Sequence, residues 1–147
     1  MTEVFNLLDG PSGEENDRDG FRHLDRPVGP LLGAELFGCS VYDLPPGQRV
    51  WPYHYHVGNE EWLVVVAGRP TLRTPAGERV LEPGEIVGFA EGEAGAHTFA
   101  NPTEENVRVA VFSTLRRGFV VYPDSGKVGA GGRYFRLADA VDYWDGE

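Results

Sequence analysis

Short apolar segments separated by turn residues run through the middle of the chain. The most regular is 107–114, in which Val107, Val109 and Val111 share one face, as expected for a strand whose side chains alternate. The segment 61–67 is apolar on both faces and therefore predicts a strand that is covered on both sides. The same reasoning predicts further strands at residues 35–44, 49–56, 71–74, 79–81, 86–89 and 97–100.

Many short strands at close spacing, with almost no helical periodicity, predict an antiparallel sandwich or a closed barrel. Pro52 lies inside the second predicted strand and indicates an edge, a bulge or an irregular entry there. Residues 9–20 are polar and turn-rich, which predicts a loop or arm. Helical character is confined to residues 136–144, where four residues have helical spacing: Leu137, Ala140, Val141 and Trp144.

Composition narrows the class of protein. The 147 residues fit one domain, and the 20 glycines and 11 prolines suit many strands joined by tight turns. A formal net charge of −10 argues against a nucleic-acid partner, because phosphate binding requires clustered lysine and arginine. The single Cys39 cannot form an internal disulfide, which favours a reducing compartment. The N-terminus resembles no secretory signal, and the longest apolar stretch is too short to cross a bilayer. We therefore expect a cytoplasmic protein with no membrane partner.

Three of the four histidines carry the candidate chemistry. His54 and His56 lie two residues apart on a predicted strand, so their side chains share a face, and His97 belongs to another strand. A nearby carboxylate, Glu60 or Glu61, would complete a set of three imidazoles and one carboxylate, which suits a first-row transition metal. Adjacent strand residues point to opposite faces, so only one of the two glutamates can join the histidines, and hydrophobicity does not decide which.

Each histidine also has a simpler interpretation. His54 and His56 could merely line the sheet, and His97 could be a histidine at the rim that is held by Glu91 or Glu93. Asn101 could be a turn residue or a hydrogen-bonding partner of the adjoining loop. We place the remaining histidine, His23, on the surface.

These residues and their spacing resemble the two motifs of the cupin superfamily, small metal-binding jelly-roll proteins. The resemblance to the first motif selects Glu61 over Glu60, and the second motif contains His97. Ala90 replaces a proline of the second motif, and four residues instead of two separate Gly92 from His97. The matching positions are Gly47, His54, His56, Glu61 and Gly68 in the first motif, and Gly84, Gly92, His97 and Asn101 in the second.

The resemblance implies an all-β fold, a double-stranded β-helix (jelly-roll) barrel with an N-terminal arm and a short C-terminal extension. We expect the arm at residues 1–34, the barrel core at 35–115, and an extension at 116–147 that packs on the barrel or on the partner of a homodimer. Tyr143 and Trp144 would anchor this extension. Alternatively, the turn from Tyr122 to Lys127 could bind an anionic substrate through Lys127.

The resemblance also implies that His54, His56, Glu61 and His97 bind one divalent transition metal: Fe, Mn, Ni, Cu or Zn. Such a site predicts a metal-dependent enzyme acting on a small chelating organic molecule, either an oxidoreductase of the dioxygenase type or, as the second choice, an isomerase. The alternative is a non-catalytic cupin that binds or senses a small ligand or the metal. A metal-free barrel that uses histidine as a general base is disfavoured by Glu61. We assign no catalytic residue.

Overall fold

The computed structural model describes residues 2–147 and confirms the all-β jelly-roll class. Over this range, short 3-10 turns at Pro30–Leu32, Glu93–Gly95 and Leu137–Asp139 are the helical elements. Thirteen strands make up the fold: β1 (Glu14–Asn16), β2 (His23–Pro27), β3 (Phe37–Leu44), β4 (Tyr55–Val57), β5 (Glu61–Ala67), β6 (Thr71–Thr74), β7 (Gly77–Val80), β8 (Ile86–Phe89), β9 (Thr98–Ala100), β10 (Val107–Thr114), β11 (Phe119–Tyr122), β12 (Lys127–Ala130) and β13 (Arg133–Arg136).

The strands form two layers. The first layer is a six-stranded sheet in the order β1-β2-β3-β10-β5-β8. The second layer consists of a four-stranded sheet, β13-β12-β11-β4, and a three-stranded sheet, β7-β6-β9. An isolated bridge between His54 and His97 links these two smaller sheets. Within residues 2–147 the strand pairing does not close into a continuous barrel.

A hydrophobic core fills the space between the layers. The strands β5 and β10 contribute alternate residues on their inner faces, such as Leu63 and Val109. The second layer contributes Leu72 and Phe99. These side chains are almost completely buried, as expected for the inner faces of two packed sheets.

A second, smaller cluster covers the outer face of the six-stranded sheet. It includes Val41 and Ala110, and the N-terminal residues Phe5 and Leu7 pack against it together with Val64. Both faces of β5 are therefore covered at residues 63–66, whereas Trp62 keeps 59% of its surface exposed.

The structure departs from the expected elements near both ends and around Pro52. Residues 49–56 form only isolated bridges before β4 begins at Tyr55, because Pro52 has no N–H to donate to a ladder. The helical character expected at 136–144 is limited to the 3-10 turn Leu137–Asp139, which follows directly on β13. No helix in residues 2–147 is long and apolar enough to cross a bilayer.

Candidate metal centre

The three histidines and Glu61 come together between the two layers. His54 and His97 face each other in the second layer, where each backbone N–H donates to the carbonyl of the other at 3.2 and 2.8 Å. His56 lies on β4 of the same layer, and Glu61 lies at the start of β5 in the first layer. The site is therefore assembled from both sheets.

The distances within this cluster are short. The Oε2 atom of Glu61 lies 3.1 Å from Nε2 of His56, 3.2 Å from Nε2 of His97 and 4.0 Å from Nε2 of His54. The Nε2 atoms of His54 and His56 are 3.2 Å apart. For His54, His56 and Glu61, every pair of ligand atoms lies within 4.8 Å. Glu60, the other candidate carboxylate, is exposed on the opposite face of the strand.

Backbone carbonyl groups fix the orientation of two of the imidazoles. Nδ1 of His54 lies 2.9 Å from the carbonyl oxygen of Pro52, and Nδ1 of His97 lies 2.9 Å from that of Gly95. A carbonyl oxygen can only accept, so in the neutral ring the proton is on Nδ1 and the lone pair is on Nε2. Both Nε2 lone pairs then face Glu61, the arrangement that backbone partners impose on metal-ligating histidines.

Two buried polar atoms of the cluster lack a hydrogen-bond partner: Oε2 of Glu61 and Nε2 of His97. Although they are close, two electron-pair donors repel each other unless a proton or a cation lies between them. Imidazole nitrogen together with one carboxylate oxygen matches the preference of first-row transition metals. The residues therefore fit a divalent transition metal, with Nε2 and Oε2 as its ligand atoms.

The protonation states agree with this arrangement. Burial, followed by repulsion from the His97 imidazole, lowers the pKa of His54 to about 4, so its ring is neutral at pH 7. Burial raises the pKa of Glu61, but the imidazoles of His56 and His97 outweigh burial and lower the pKa to about 2 when a proton on their Nε2 atoms faces the carboxylate. A bound cation would take the place of these protons. Glu61 is therefore an ionised carboxylate, ready to bind a cation.

The loop before His97 accommodates the two additional residues of the second motif. It makes the 3-10 turn Glu93–Gly95, whose last carbonyl is the one that meets His97. A Cβ on the buried Gly95 would lie 1.8 Å from the carbonyl oxygen of Ala90, so glycine is required there. Glu91 does not hold His97; its Oε2 accepts from the N–H of Gly58 at 2.9 Å.

Asn101 is a hydrogen-bonding partner of the adjoining loop. Its amide donates to the carbonyl oxygens of Leu44 and Glu105 at 2.9 and 2.7 Å, and its side-chain oxygen accepts from Thr103. His23, expected on the surface, is instead buried beside the ring of Tyr42, because β2 joins the six-stranded sheet.

Aromatic rings enclose the cluster. The ring of Phe89 stacks on His97 with centroids 3.7 Å apart, and Trp51 meets His54 and His97 edge-on at 5.7 and 6.2 Å. Tyr122 lies 5.8 Å from His54. Lys127 places its ammonium 4.7 Å from the Tyr122 ring centroid.

The site is reached from two sides. A cleft of about 230 Å³ touches His56 and is lined by the C-terminal strands, including Tyr122 and Arg133. A pocket of about 270 Å³ touches Glu61 on the other side and includes Ser113 in its lining. The apolar residues nearest in sequence to the ligands on the same strand faces, Leu63, Val65 and Phe99, are packed in the core and line neither opening.

Sequence reasoning missed the hydroxyl groups beside Glu61. Ser113 lies directly opposite Glu61 in the pairing of β10 with β5, and Ser40 and Tyr42 line the same pocket from β3. The alternation of side chains assigns each of them a face. The register that brings them together depends on which strands pair, and that is not readable from a single strand.

The fold and the cluster together define a small jelly-roll protein with a histidine and carboxylate site between its sheets. The chain belongs to the cupin family, because the family model for the cupin domain matches residues 40–113, about half of its length. No curated protein matches the sequence.

Solved structures agree with this assignment. A putative sugar phosphate isomerase from Acidithiobacillus ferrooxidans superposes with a TM-score of 0.79 at 25% identity, over 88% of each chain. A sugar phosphate isomerase of the cupin superfamily from Silicibacter pomeroyi gives 0.80 at 21% identity, over 97% of this chain and 98% of the other. The polyketide cyclase RemF from Streptomyces resistomycificus gives 0.63 at 21% identity, over 79% and 81%. The last two similarities, at 21% sequence identity, show only a shared fold.

Proposed function

We propose that the chain is a metal-dependent enzyme in which His54, His56, Glu61 and His97 bind one divalent transition metal and a small chelating molecule is transformed there. The observation that carries the proposal is the convergence of Nε2 lone pairs on an ionised, buried carboxylate oxygen without a hydrogen-bond partner. When bound, the metal supplies Lewis acidity or, if it is redox-active, electron transfer to a chelated substrate.

The chain's own residues orient the ligands and keep water away. The carbonyls of Pro52 and Gly95 hold the two imidazoles in the tautomer that presents Nε2. Phe89 and Trp51 exclude solvent from the buried side of His97. The side chains of Glu61 and His56 keep 13% and 20% of their surface exposed, and Glu61 lines the pocket while His56 lines the cleft.

Two reaction classes are compatible with the proposed metal site: oxygenase-type oxidation and isomerisation. Oxidation requires Fe, Mn or Cu, whereas isomerisation requires only a Lewis acid such as Zn or Ni. The A. ferrooxidans structure at 25% identity carries the name of a putative sugar phosphate isomerase, and this observation favours the isomerase type. A non-catalytic cupin that binds or senses a ligand is the alternative, and it predicts metal or ligand binding without turnover.

The metal site is tested with a matched pair of variants, Glu61→Gln and Glu60→Gln. Glu61→Gln removes the ionised ligand oxygen, so we expect at least a tenfold loss of metal affinity, about 1.4 kcal/mol. Glu60→Gln alters an exposed carboxylate on the other face and should leave the metal content at about one ion per chain. Elemental analysis of protein purified without added metal or chelator is the measurement. Equal metal content in both variants would refute the assignment of Glu61.

We also propose that the chain acts as a homodimer in a reducing, cytoplasmic setting, with residues 116–147 as the extension that meets the partner. The large apolar side chains exposed along its last part support this proposal, among them Val141, Tyr143 and Trp144. The buried free thiol of Cys39 suits a reducing compartment.

A further inference from the structure

The pocket beside Glu61 differs in chemistry from the cleft beside His56. It lies at the rim of the inner face of the six-stranded sheet, where Gly38, Ser113 and Glu61 stand side by side on β3, β10 and β5. The absence of a side chain at Gly38 keeps this rim open, because a Cβ there would lie 2.9 Å from Oγ of Ser113.

The lining of the pocket combines hydroxyl groups with apolar side chains. Ser40, Tyr42 and Ser113 contribute the hydroxyl groups, and Pro27 and Leu115 are among the apolar residues. Glu61 is the single charged group in this lining, and among residues 2–147 no lysine or arginine contributes to it. By contrast, Arg133 lines the cleft on the other side.

We infer that the pocket beside Glu61 admits the substrate of the metal centre and that this substrate is a small uncharged molecule. It would carry two neighbouring oxygen atoms at one end and an apolar group at the other. This inference rests on the proposed metal site. The two oxygens chelate the metal next to Glu61, the hydroxyls of the pocket bond to polar groups in the middle, and the apolar end meets Pro27 and Leu115.

The absence of a cation in the lining excludes a negative charge at the far end of the substrate. An anionic group there, away from the metal, would lose its hydration without gaining a cationic side chain as partner. The volume of about 270 Å³ limits the substrate to a single ring or a short chain.

Two probes with the same chelating end test this inference: catechol, which is neutral, and 3,4-dihydroxybenzoate, which carries a carboxylate opposite the two hydroxyls. Binding to the zinc-loaded protein is measured by calorimetry after the zinc content has been determined. We expect catechol to bind at least tenfold more tightly, a difference of about 1.4 kcal/mol. Dihydroxyacetone and dihydroxyacetone phosphate form a second pair, for which we expect the phosphate to weaken binding.

Variants distinguish the two sides of the site. Gly38→Val fills the pocket, and Ser113→Ala removes one hydroxyl with little change in volume. Both should weaken catechol binding, the first at least tenfold, while the zinc content stays the same. Arg133→Gln, in the cleft, is the matched control and should leave the affinity for every probe unchanged.

The possible failures are distinguishable. A protein that takes up no zinc refutes the proposed metal centre, and the substrate assignment is withdrawn with it. Zinc-loaded protein that binds both members of a pair equally well, or binds the anionic member more tightly, refutes the inference alone. Loss of binding in Arg133→Gln with full binding in Gly38→Val and Ser113→Ala would assign the substrate to the cleft and also refute the inference.

Discussion

Burial of the His54 imidazole opposes its protonation. Its pKa of about 4 lies below the value of about 6.5 for an unfolded histidine. Between these two pH values the unfolded chain binds more protons than the folded one, so the free energy of unfolding falls as the pH falls. For the metal-free protein we expect a loss of about 2 kcal/mol from this residue between pH 6.5 and 5.

Urea unfolding of the metal-free protein at a series of pH values measures this loss. His54→Asn is the control, because an amide can still donate to the Pro52 carbonyl but does not titrate in this range. The pH dependence of the variant should be shallower between pH 6.5 and 5. Glu61, with a pKa of about 2, adds its own loss only below about pH 4.5, outside this window. Identical slopes for the two proteins would contradict the prediction.

Single residues also mark the limit of what the sequence predicts. The alternation of side chains placed His54 and His56 on one face, and the structure brings their Nε2 atoms to 3.2 Å. The choice between Glu60 and Glu61 could not be made from hydrophobicity, because the sequence of β5 is apolar on both faces. Only the family motif selected Glu61. The hydroxyl of Ser113 next to it depends on the register between β10 and β5, which is a long-range property.

At the scale of the elements, the position of the N-terminal segment depends on one arginine. Arg108 on β10 makes an ion pair with Asp43, with Nε 2.6 Å from Oδ1, and its guanidinium also donates to the carbonyl oxygen of Gly10 at 2.9 Å. The side chains of Arg108 and Asp43 are only 13% and 14% exposed. Removing Arg108 would leave the largely buried carboxylate of Asp43 with only the Ser12 hydroxyl as partner, and it would release the segment that carries Phe5 and Leu7.

We expect Arg108→Ala to lower the free energy of unfolding by about 3 kcal/mol and to increase hydrogen exchange at residues 5–12. Arg79→Ala, which removes an exposed ion pair with Glu85, is the control and should change the free energy by less than about 0.5 kcal/mol. Urea unfolding and hydrogen-exchange mass spectrometry measure the two effects. Full protection of residues 5–12 in Arg108→Ala would show that apolar packing alone holds the segment.

The elements that sequence reasoning missed share a physical cause. The strands β12 and β13 show little alternation of apolar residues, because β13 is exposed throughout, β12 is only partly buried, and Gly129 interrupts the pattern of β12. The expected helix at 136–144 has apolar residues at helical spacing, but they are exposed and have no surface of this chain to pack on. A short amphipathic segment without such packing does not form a stable helix.

At the scale of the whole molecule, the C-terminal end exposes apolar surface that a second copy of the chain would cover. Residues 131–147 are exposed throughout, and Tyr143 and Trp144 keep 83% and 71% of their surface. Burying this apolar surface against a second copy would gain roughly 25 cal/mol for each Å² removed from water. The net charge of −10 on each chain opposes association, so the apolar contact has to outweigh the repulsion.

We therefore expect the full chain to be a dimer at micromolar concentration and deletion of residues 137–147 to give a monomer. This deletion keeps β11, which pairs with β4 beside His56, so the metal content should not change. Sedimentation velocity measures the mass, and elemental analysis measures the metal.

Exchange of the exposed Val4 and Leu8 for serine is the matched control, because it removes apolar surface at the other end of the chain and should leave the dimer intact. A monomeric full chain, or a dimer that persists after the deletion, would contradict the role of the extension. Loss of metal along with the dimer would mean that the partner supports the site.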